Sequence, residues 1–189
     1  MAQLPDPTDQ LDAEAKAAYD QMASIRAHAE GRAQLGEVYV RMFNNPALAA
    51  KVGALGEQIR FHGRLPDTVR ELAILRYAAR QGFGYEWSHH QHPARLAGLS
   101  TETITEVTAG DIPADLPDVS RAVLQAVDAV VAHRSIPAEV QDRIVAAYGN
   151  AGVVEVVVLC GLYAIMGYTV VAFDIPIEQG LPTPPDPLR

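Results

Sequence analysis

The chain has 189 residues, of which 49% are hydrophobic, and a formal net charge of −8 at pH 7. This length and apolar content suit one domain with a sizeable buried core. Lysine and arginine form no long block or stripe, so the sequence lacks the electrostatic footprint of a nucleic-acid-binding protein. An anionic small-molecule substrate remains compatible with this charge, because one local arginine can bind it.

The cysteine content and the longest apolar run bear on the compartment. Cys160 is the single cysteine, so no internal disulfide can form, which is typical of a reducing environment. Residues 1–9 lack the basic and apolar segments of a signal peptide. The apolar run 153–173 is interrupted by Glu155 and two glycines, which favours a buried helix over a membrane span. We therefore expect a cytoplasmic protein with no membrane-spanning segment.

Capping residues, prolines and glycines divide the chain into helices. The valine-rich run 153–158 could form a buried strand or a helix. Its length and its continuation in alanine and glycine favour the helix. The predicted helices are one capped by Thr8 or Asp9 and ending near residue 29, a short one ending at residue 43, then 46–62, 66–80, 84–97, one capped by Ser100, 118–133, 137–148 and 151–173. The sequence therefore predicts an all-α fold.

We expect one domain over residues 1–175 and a separate tail over residues 176–189. The tail contains Pro182, Pro184, Pro185 and Pro187. Such a composition predicts an extended segment that lies on a neighbour or stays mobile.

An internal repeat appears when the chain is shifted by 71 positions. His62 then falls on His133, and other matched pairs are Pro66 with Pro137, Val69 with Val140, and Tyr77 with Tyr148. This agreement predicts a duplicated helical hairpin. With a shift of 69, Glu86 meets Glu155 but His90 meets Leu159, so the polar cluster belongs to the first copy.

The segment from Tyr85 to Pro93 is rich in groups that transfer protons. Glu86 and His90 are four residues apart on a predicted helix, so they share a face. A carboxylate beside an imidazole orients the ring and raises its basicity, which suits a general acid/base. Glu71 lies on the core-facing side of the preceding helix and needs a buried partner, for which His90 is the candidate.

Several residues have a structural alternative. A Glu/His pair at this spacing is often only a solvated or capping pair. Tyr85 and Trp87 suit a pocket wall or the core. Arg76 suits either a surface ion pair or contact with a substrate carboxylate. Cys160 reads as a small buried apolar residue, since no basic neighbour is apparent.

The other histidines and a metal site are less favoured. His89 and His92 are expected to be exposed, and the matched pair His62 and His133 suggests a shared packing role. His89 and His90 project about 100° apart on a helix. The spacing of the acidic and histidine residues matches no established metal signature, so we expect no metal.

At these residues the sequence resembles the carboxymuconolactone decarboxylase family, which shares its fold with alkylhydroperoxidase D. The resemblance runs from about Phe43 to Phe173. Its specific part is the run from Arg70 to Arg76, then Tyr85-Glu86-Trp87, and then His90, Ala94 and Gly98.

The resemblance implies an alkylhydroperoxidase D-like helical bundle whose copies associate as dimers, trimers or hexamers. It implies a site between the Glu71 helix and the Glu86–His90 helix, near a subunit interface. We expect catalytic roles for His90, Glu86 and Glu71, and substrate contacts from Arg76, Tyr85 and Trp87. The peroxidase branch carries a Cys-x-x-Cys pair at positions that are here Phe83 and Glu86, so its dithiol is absent. The decarboxylase branch acts without a cofactor on a carboxylated unsaturated lactone.

Three functions therefore compete. The first is a cofactor-independent lyase or isomerase that uses acid/base chemistry on a small carboxylated or lactone substrate. The second is a peroxidase or antioxidant activity, against which the missing dithiol argues. The third is a non-catalytic binding protein that has kept the fold.

Overall fold

The structure is a computed structural model that describes residues 2–30, 35–186 and 188, with the side chains of residues 28–30 left undescribed. These residues form one 3₁₀ turn, eight α-helices and no strand, which confirms the predicted all-α fold. The 3₁₀ turn is Thr8–Gln10, and the helices are α1 (Ala13–Glu30), α2 (Glu37–Met42), α3 (Pro46–Phe61), α4 (Asp67–Gln81), α5 (Gly84–Leu96), α6 (Thr101–Ala109), α7 (Asp118–Val131) and α8 (Ala138–Ala172).

The start of the first helix differs from the prediction. Thr8 and Asp9 lie in the 3₁₀ turn, and α1 begins only at Ala13. The Asp12 carboxylate accepts a hydrogen bond from the backbone N–H of Ala15 at 2.8 Å. Asp12 therefore satisfies a free N–H of the first turn, which is the role that we predicted for Thr8 or Asp9.

Helix ends at Ser100 and Gly82 follow the sequence prediction, and Asn45 caps α3 in addition. Asn45 accepts the N–H of Leu48 at 3.3 Å, and Ser100 accepts the N–H of Thr103 at 3.1 Å. Gly82 ends α4 in the left-handed conformation, with φ of 71°, which glycine adopts without a steric penalty. These caps fix where α3, α4 and α6 begin and end.

The chain divides into two compact units. The first unit comprises Met1–His62 and Tyr168–Gly180, and the second comprises Gly63–Gly167 and Leu181–Arg189. This division differs from the expected boundary at residue 175, because the end of the tail belongs to the second unit. Pro184 is buried there, and Leu188 is only 5% exposed. The prediction for Pro187 lies outside the described residues.

In the first unit, α1 and α2 pack on α3. Its core joins Met22, Leu35, Val40, Phe43 and Ala49. Because each of these side chains is buried, they remove apolar surface from water and stabilise the unit.

In the second unit, α4 lies at the centre and packs against α5, α6 and α7. Every residue of α4 from Val69 to Ala78 is buried. The core around Leu72 and Leu75 also includes Ile104 and Leu124. A helix surrounded in this way buries its charged side chains together with its apolar ones, so those charges need partners.

Helix α8 has a break and an exposed apolar surface. Gly149 has φ of 69° and ψ of 179°, so α8 consists of two helical segments, as predicted. By length and composition alone α8 could cross a membrane, since an 18-residue window has a mean hydropathy of 2.0. Only 39% of that window is buried, so part of its apolar surface is not covered by the described chain.

Glu155, which the predicted repeat aligns with Glu86, contacts the loop before α4. Its carboxylate accepts the backbone N–H groups of Arg64 at 2.6 Å and Leu65 at 3.1 Å, just before α4 begins. The carboxylate thereby holds the loop that leads into the central helix.

We expect Glu155→Ala to lower the free energy of unfolding by about 1–3 kcal/mol, because two backbone donors lose a charged acceptor. Chemical denaturation of the purified protein measures this change. Glu106→Ala is the matched control, since Glu106 is exposed on α6. Equal stability of the two variants would contradict the role of Glu155.

Candidate active site

The centre of the site is a hydrogen bond between α4 and α5. The Nδ1 atom of His90 lies 2.6 Å from the Oε2 atom of Glu71, and both residues are buried. Burial keeps water away from this contact and strengthens its electrostatic component. The structure therefore brings together Glu71 and His90, as the sequence led us to expect.

The other nitrogen of His90 contacts a residue that the sequence reasoning missed. The Nε2 atom lies 2.9 Å from the hydroxyl oxygen of Tyr163 on α8, and Tyr163 is also buried. The two rings meet edge to face, with centroids 5.1 Å apart. Tyr163 lies in the apolar run 153–173, which the sequence analysis treated as core. The feature that could have identified it is its phenol, because a buried phenol normally needs a hydrogen-bond partner.

The three side chains form a chain of hydrogen bonds from carboxylate to imidazole to phenol. With Glu71 ionised, Nδ1 carries a hydrogen and donates it to the carboxylate. In the neutral imidazole, Nε2 then accepts the hydrogen of the Tyr163 hydroxyl. This arrangement can move a proton between the phenol and the imidazole while the carboxylate stabilises the protonated ring.

Arg70 binds the second oxygen of Glu71. Its Nε atom lies 3.4 Å from Oε1, while its NH1 atom donates to the exposed Asp67 at 2.9 Å. Arg70 is itself 7% exposed, so its charge lies close to the buried carboxylate. This cation favours the ionised form of Glu71 and limits its movement.

Glu86 lies on the same helix as His90 and is 3% exposed. The two ring nitrogens of His90, however, contact Glu71 and Tyr163. The carboxylate that orients the imidazole through Nδ1 is therefore Glu71, in place of the Glu86 expected from the four-residue spacing.

Arg76 has a structural role, which corrects the expected contact with a substrate carboxylate. It is 1% exposed, and its Nε and NH2 atoms donate to both oxygens of Asp128 at 2.9 and 2.7 Å. Its NH1 atom donates to the carbonyl of Asp111 at 2.9 Å. The guanidinium is thus engaged within the core, because a buried cation requires this full set of partners.

Asp128 also receives a hydrogen bond from the Nε atom of Arg80 at 2.9 Å. Burial alone would raise the pKa of Asp128, but the hydrogen bonds and charges of Arg76 and Arg80 outweigh it and hold the pKa below 3.8. Asp128 is therefore ionised at neutral pH and ties α7 to α4.

The two aromatic candidates have different surroundings. Tyr85 is buried and stacks on His89, with ring centroids 4.3 Å apart. Trp87 is half-buried, and its Nε1–H donates to the hydroxyl of Thr108 at 2.8 Å. Of these two, Trp87 lines an open cavity of about 710 Å³ in the second unit.

That cavity is separate from the hydrogen-bonded chain. Its walls are the end of α4, Trp87, the second half of α6 and the C-terminal tail. Glu71, His90 and Tyr163 are not among its lining residues.

The remaining candidates do not form a redox or metal centre in the described part of the chain. Burial raises the pKa of the Cys160 thiol to about 12, so it carries little thiolate at neutral pH. Among residues 2–30, 35–186 and 188, no three His, Cys, Asp or Glu side chains are arranged to hold a metal ion.

We expect Asp128→Asn to lower the free energy of unfolding at neutral pH by about 3 kcal/mol, because the buried Arg76 loses its counter-charge. The lowered pKa means that ionised Asp128 stabilises the wild type above pH 3.8 and that this contribution is lost as the pH falls below it. The variant should therefore lose less stability than the wild type over that acidic range. Denaturation at several pH values measures both effects.

Asp115→Asn is the control for this experiment, since Asp115 is exposed in the loop before α7. A control variant as unstable as Asp128→Asn would show that the Arg76 contact is not responsible.

Comparison with known proteins gives a family match and two structural relatives. Residues 46–129 match the Carboxymuconolactone decarboxylase family, and no curated protein has a significantly similar sequence. The debrominase Bmp8, solved alone and with 2,3,4-tribromopyrrole, is similar with a TM-score of 0.72 and 18% identity, over 89% of this chain and 90% of that chain.

A second relative is a protein of unknown function from Agrobacterium tumefaciens, with the antioxidant defence protein AhpD as its suggested role. Its TM-score is 0.63 at 23% identity, over 72% of this chain and 96% of that chain. Such low identities show a shared fold and carry no activity across. Residues 46–129 therefore match the carboxymuconolactone decarboxylase family model, and the chain shares its all-α fold with these two solved structures.

Proposed function

We propose that this protein is a cofactor-independent lyase or isomerase that acts by acid/base chemistry on a small carboxylated or lactone substrate. The observation that carries the proposal is the buried chain of Glu71, His90 and Tyr163, with contacts of 2.6 and 2.9 Å. The family match supports the decarboxylase branch as the nearest substrate class.

The chemistry assigns different tasks to the three residues. Both nitrogens of His90 are engaged, so the phenol of Tyr163 is the group that exchanges a proton with the substrate. His90 accepts or returns the proton at Nε2, and Glu71 stabilises the imidazolium through Nδ1. Arg70 contacts the other oxygen of Glu71 at 3.4 Å, and its positive charge favours the carboxylate form.

In a decarboxylation, the bond between the ring carbon and the carboxylate breaks, and carbon dioxide leaves. The electron pair stays on carbon and is delocalised into the unsaturated lactone. Tyr163 then donates its proton to carbon and becomes a phenolate. His90 takes up a proton from solvent, as an imidazolium that Glu71 stabilises, and passes it to the phenolate, which restores the phenol and the neutral imidazole. In an isomerisation, Tyr163 first passes its hydroxyl proton to Nε2 of His90. The resulting phenolate removes a proton from one carbon and delivers it to another, and the imidazolium then returns the original proton.

A thiol-based peroxidase is disfavoured as the alternative. The chain has one cysteine, and burial raises its pKa to about 12. A dithiol reaction needs two thiols that form a disulfide and a thiolate that attacks peroxide. Tyr163 and His90 supply proton transfer only.

We expect His90→Ala and Tyr163→Phe each to reduce kcat by about 100-fold or more, since positioned acid/base groups contribute on this scale. The assay follows carbon dioxide release and loss of the conjugated lactone across a panel of carboxylated lactones. His92→Ala is the matched control, because His92 is exposed on the same helix.

Turnover that survives in His90→Ala would contradict the proton-transfer role. Failure of the wild type to convert any carboxylated lactone would contradict the substrate class. Measurement of KM separates these effects from binding, because Tyr163→Phe keeps the ring and removes only the hydroxyl.

We also propose that copies of the chain associate through α8. Val154, Val157 and Ile165 are 61%, 44% and 43% exposed. At about 100° per residue they lie, with Gly161, within an arc of about 80° on the helix. A continuous apolar stripe of this kind is typical of an interface.

We expect Val157→Glu to lower the mass of the protein in solution towards the 20.4 kDa of a single chain, because a charge in the apolar stripe opposes association. Size-exclusion chromatography with light scattering measures the mass. Gln141→Glu, an exposed change on the same helix, is the control. A wild type that is monomeric in buffer, or recovered only in detergent, would contradict the proposal.

A further inference from the structure

The C-terminal tail forms one wall of the cavity beside Trp87. Thr183, Pro184, Pro185, Asp186 and Leu188 all contribute to it. The tail therefore forms one side of an open cavity within the second unit, where the sequence alone led us to expect an extended segment that lies on a neighbour or stays mobile.

The tail is seated on the first residue of α5. A Cβ added at Gly84 would lie 2.1 Å from the carbonyl oxygen of Leu188 and 2.9 Å from the Cγ atom of Pro184. The tail backbone thus approaches the helix so closely that only glycine fits at this position. Because Pro184 and Leu188 are also buried, this wall is built into the fold.

Trp87 gives the cavity a fixed aromatic surface. The Nε1–H of its indole is bound to Thr108, and its ring packs against the core cluster that contains Leu72. The donor of the indole is therefore already used, and the ring offers an apolar face for stacking.

The charged groups of the cavity are Arg80 and Asp186, and three threonines add hydroxyl groups. Arg80 is 42% exposed and shares the Asp128 carboxylate with Arg76. Because two guanidinium groups share that one carboxylate, Arg80 can also pair with an anion at the cavity wall. Asp186 of the tail supplies a carboxylate that can accept a hydrogen bond.

We propose that this cavity is a binding site for a flat aromatic carboxylate of one or two rings that also carries a hydroxyl group. The rings stack on Trp87, the carboxylate pairs with Arg80 and the hydroxyl donates to Asp186. A volume of about 710 Å³ lies within the range of about 300–1,000 Å³ that small-molecule sites occupy.

This site is distinct from the one proposed for proton transfer. None of Glu71, His90 and Tyr163 lines the cavity, so binding here requires no reaction at the imidazole. The ligand is therefore a second small molecule or an effector, and its binding is measurable without any turnover.

The experiment uses 4′-hydroxybiphenyl-4-carboxylate as the probe and the full-length protein. Trp87 is the only tryptophan in the sequence, so the NMR spectrum of ¹⁵N-labelled protein contains one indole resonance. We expect this resonance to shift on titration with the probe, and calorimetry of the same titration gives the Kd.

Arg80→Gln should weaken binding by about tenfold or more, because a charged hydrogen bond to the carboxylate is lost. Arg95→Gln is the matched control, since Arg95 is exposed on α5 and does not line the cavity. The uncharged analogue 4′-hydroxybiphenyl-4-methanol should bind the wild type more weakly than the acid and lose little further affinity in Arg80→Gln.

Gly84→Ala tests whether the contact of the tail with α5 is needed for binding in the cavity. The added methyl group meets only tail atoms among its three nearest contacts, so the helices can keep their packing while the tail is displaced. We expect this variant to remain helical by circular dichroism and to bind the probe more weakly than the wild type.

His90→Ala separates this proposal from the proposed function, since it should abolish turnover and leave probe binding unchanged. A wild type that does not bind the probe, a probe that binds without moving the indole resonance, or equal affinities of Arg80→Gln and Arg95→Gln would each overturn the proposal.

Discussion

The second unit is organised by the burial of charge on one central helix. Glu71 and Arg76 on α4 are both 1% exposed, and an unpaired charge at that depth costs several kcal/mol. Each needs a partner from another helix: His90 of α5 for Glu71, and Asp128 of α7 for Arg76. These polar contacts have directions, so they fix the orientation of the helices around α4 more narrowly than apolar packing does.

The partners of the two buried charges, Arg76 and Glu71, determine what each charge can do. Both oxygens of Asp128 bind Arg76, and this group of contacts has no titratable member near neutral pH. Glu71 instead faces an imidazole, which can gain and lose a proton under ordinary conditions. One buried pair is therefore structural, while the other can do chemistry.

The sequence predicted those features that depend on local rules. The Ser100 cap and the glycine after α4 predicted helix boundaries, because capping involves residues only a few positions apart. Glu71 and His90 could be paired because both lie on adjacent helices with a shared buried side. The start of α1 was missed because Asp12 competed with two other capping residues within five positions.

The features that the sequence did not predict depend on contacts between distant segments. Tyr163 is 73 residues from His90, and Asp128 is 52 residues from Arg76. Helical periodicity reveals contacts only between residues a few positions apart, so it could not reveal either of these two contacts. The seat of the tail on Gly84 was missed for the same reason, since a glycine at a helix start reads as an ordinary boundary.

The two copies of the predicted repeat differ in their polar residues. In the second copy, Glu155 binds backbone N–H groups, and the position of His90 is taken by Leu159. The second copy also contributes Tyr163 to the contacts of His90. The hydrogen-bonded chain thus joins residues from both copies of the predicted repeat.

Helix α5 carries both proposed sites, since Trp87 and His90 are three residues apart on it. A ligand that stacks on Trp87 touches the same helix that positions the imidazole. Small displacements of a positioned acid/base group change rates strongly, because proton transfer depends on short, aligned contacts. Any movement of α5 on ligand binding therefore changes the contacts of His90 with Glu71 and Tyr163. Through this helix, a ligand in the cavity can alter the rate of the proposed proton transfer.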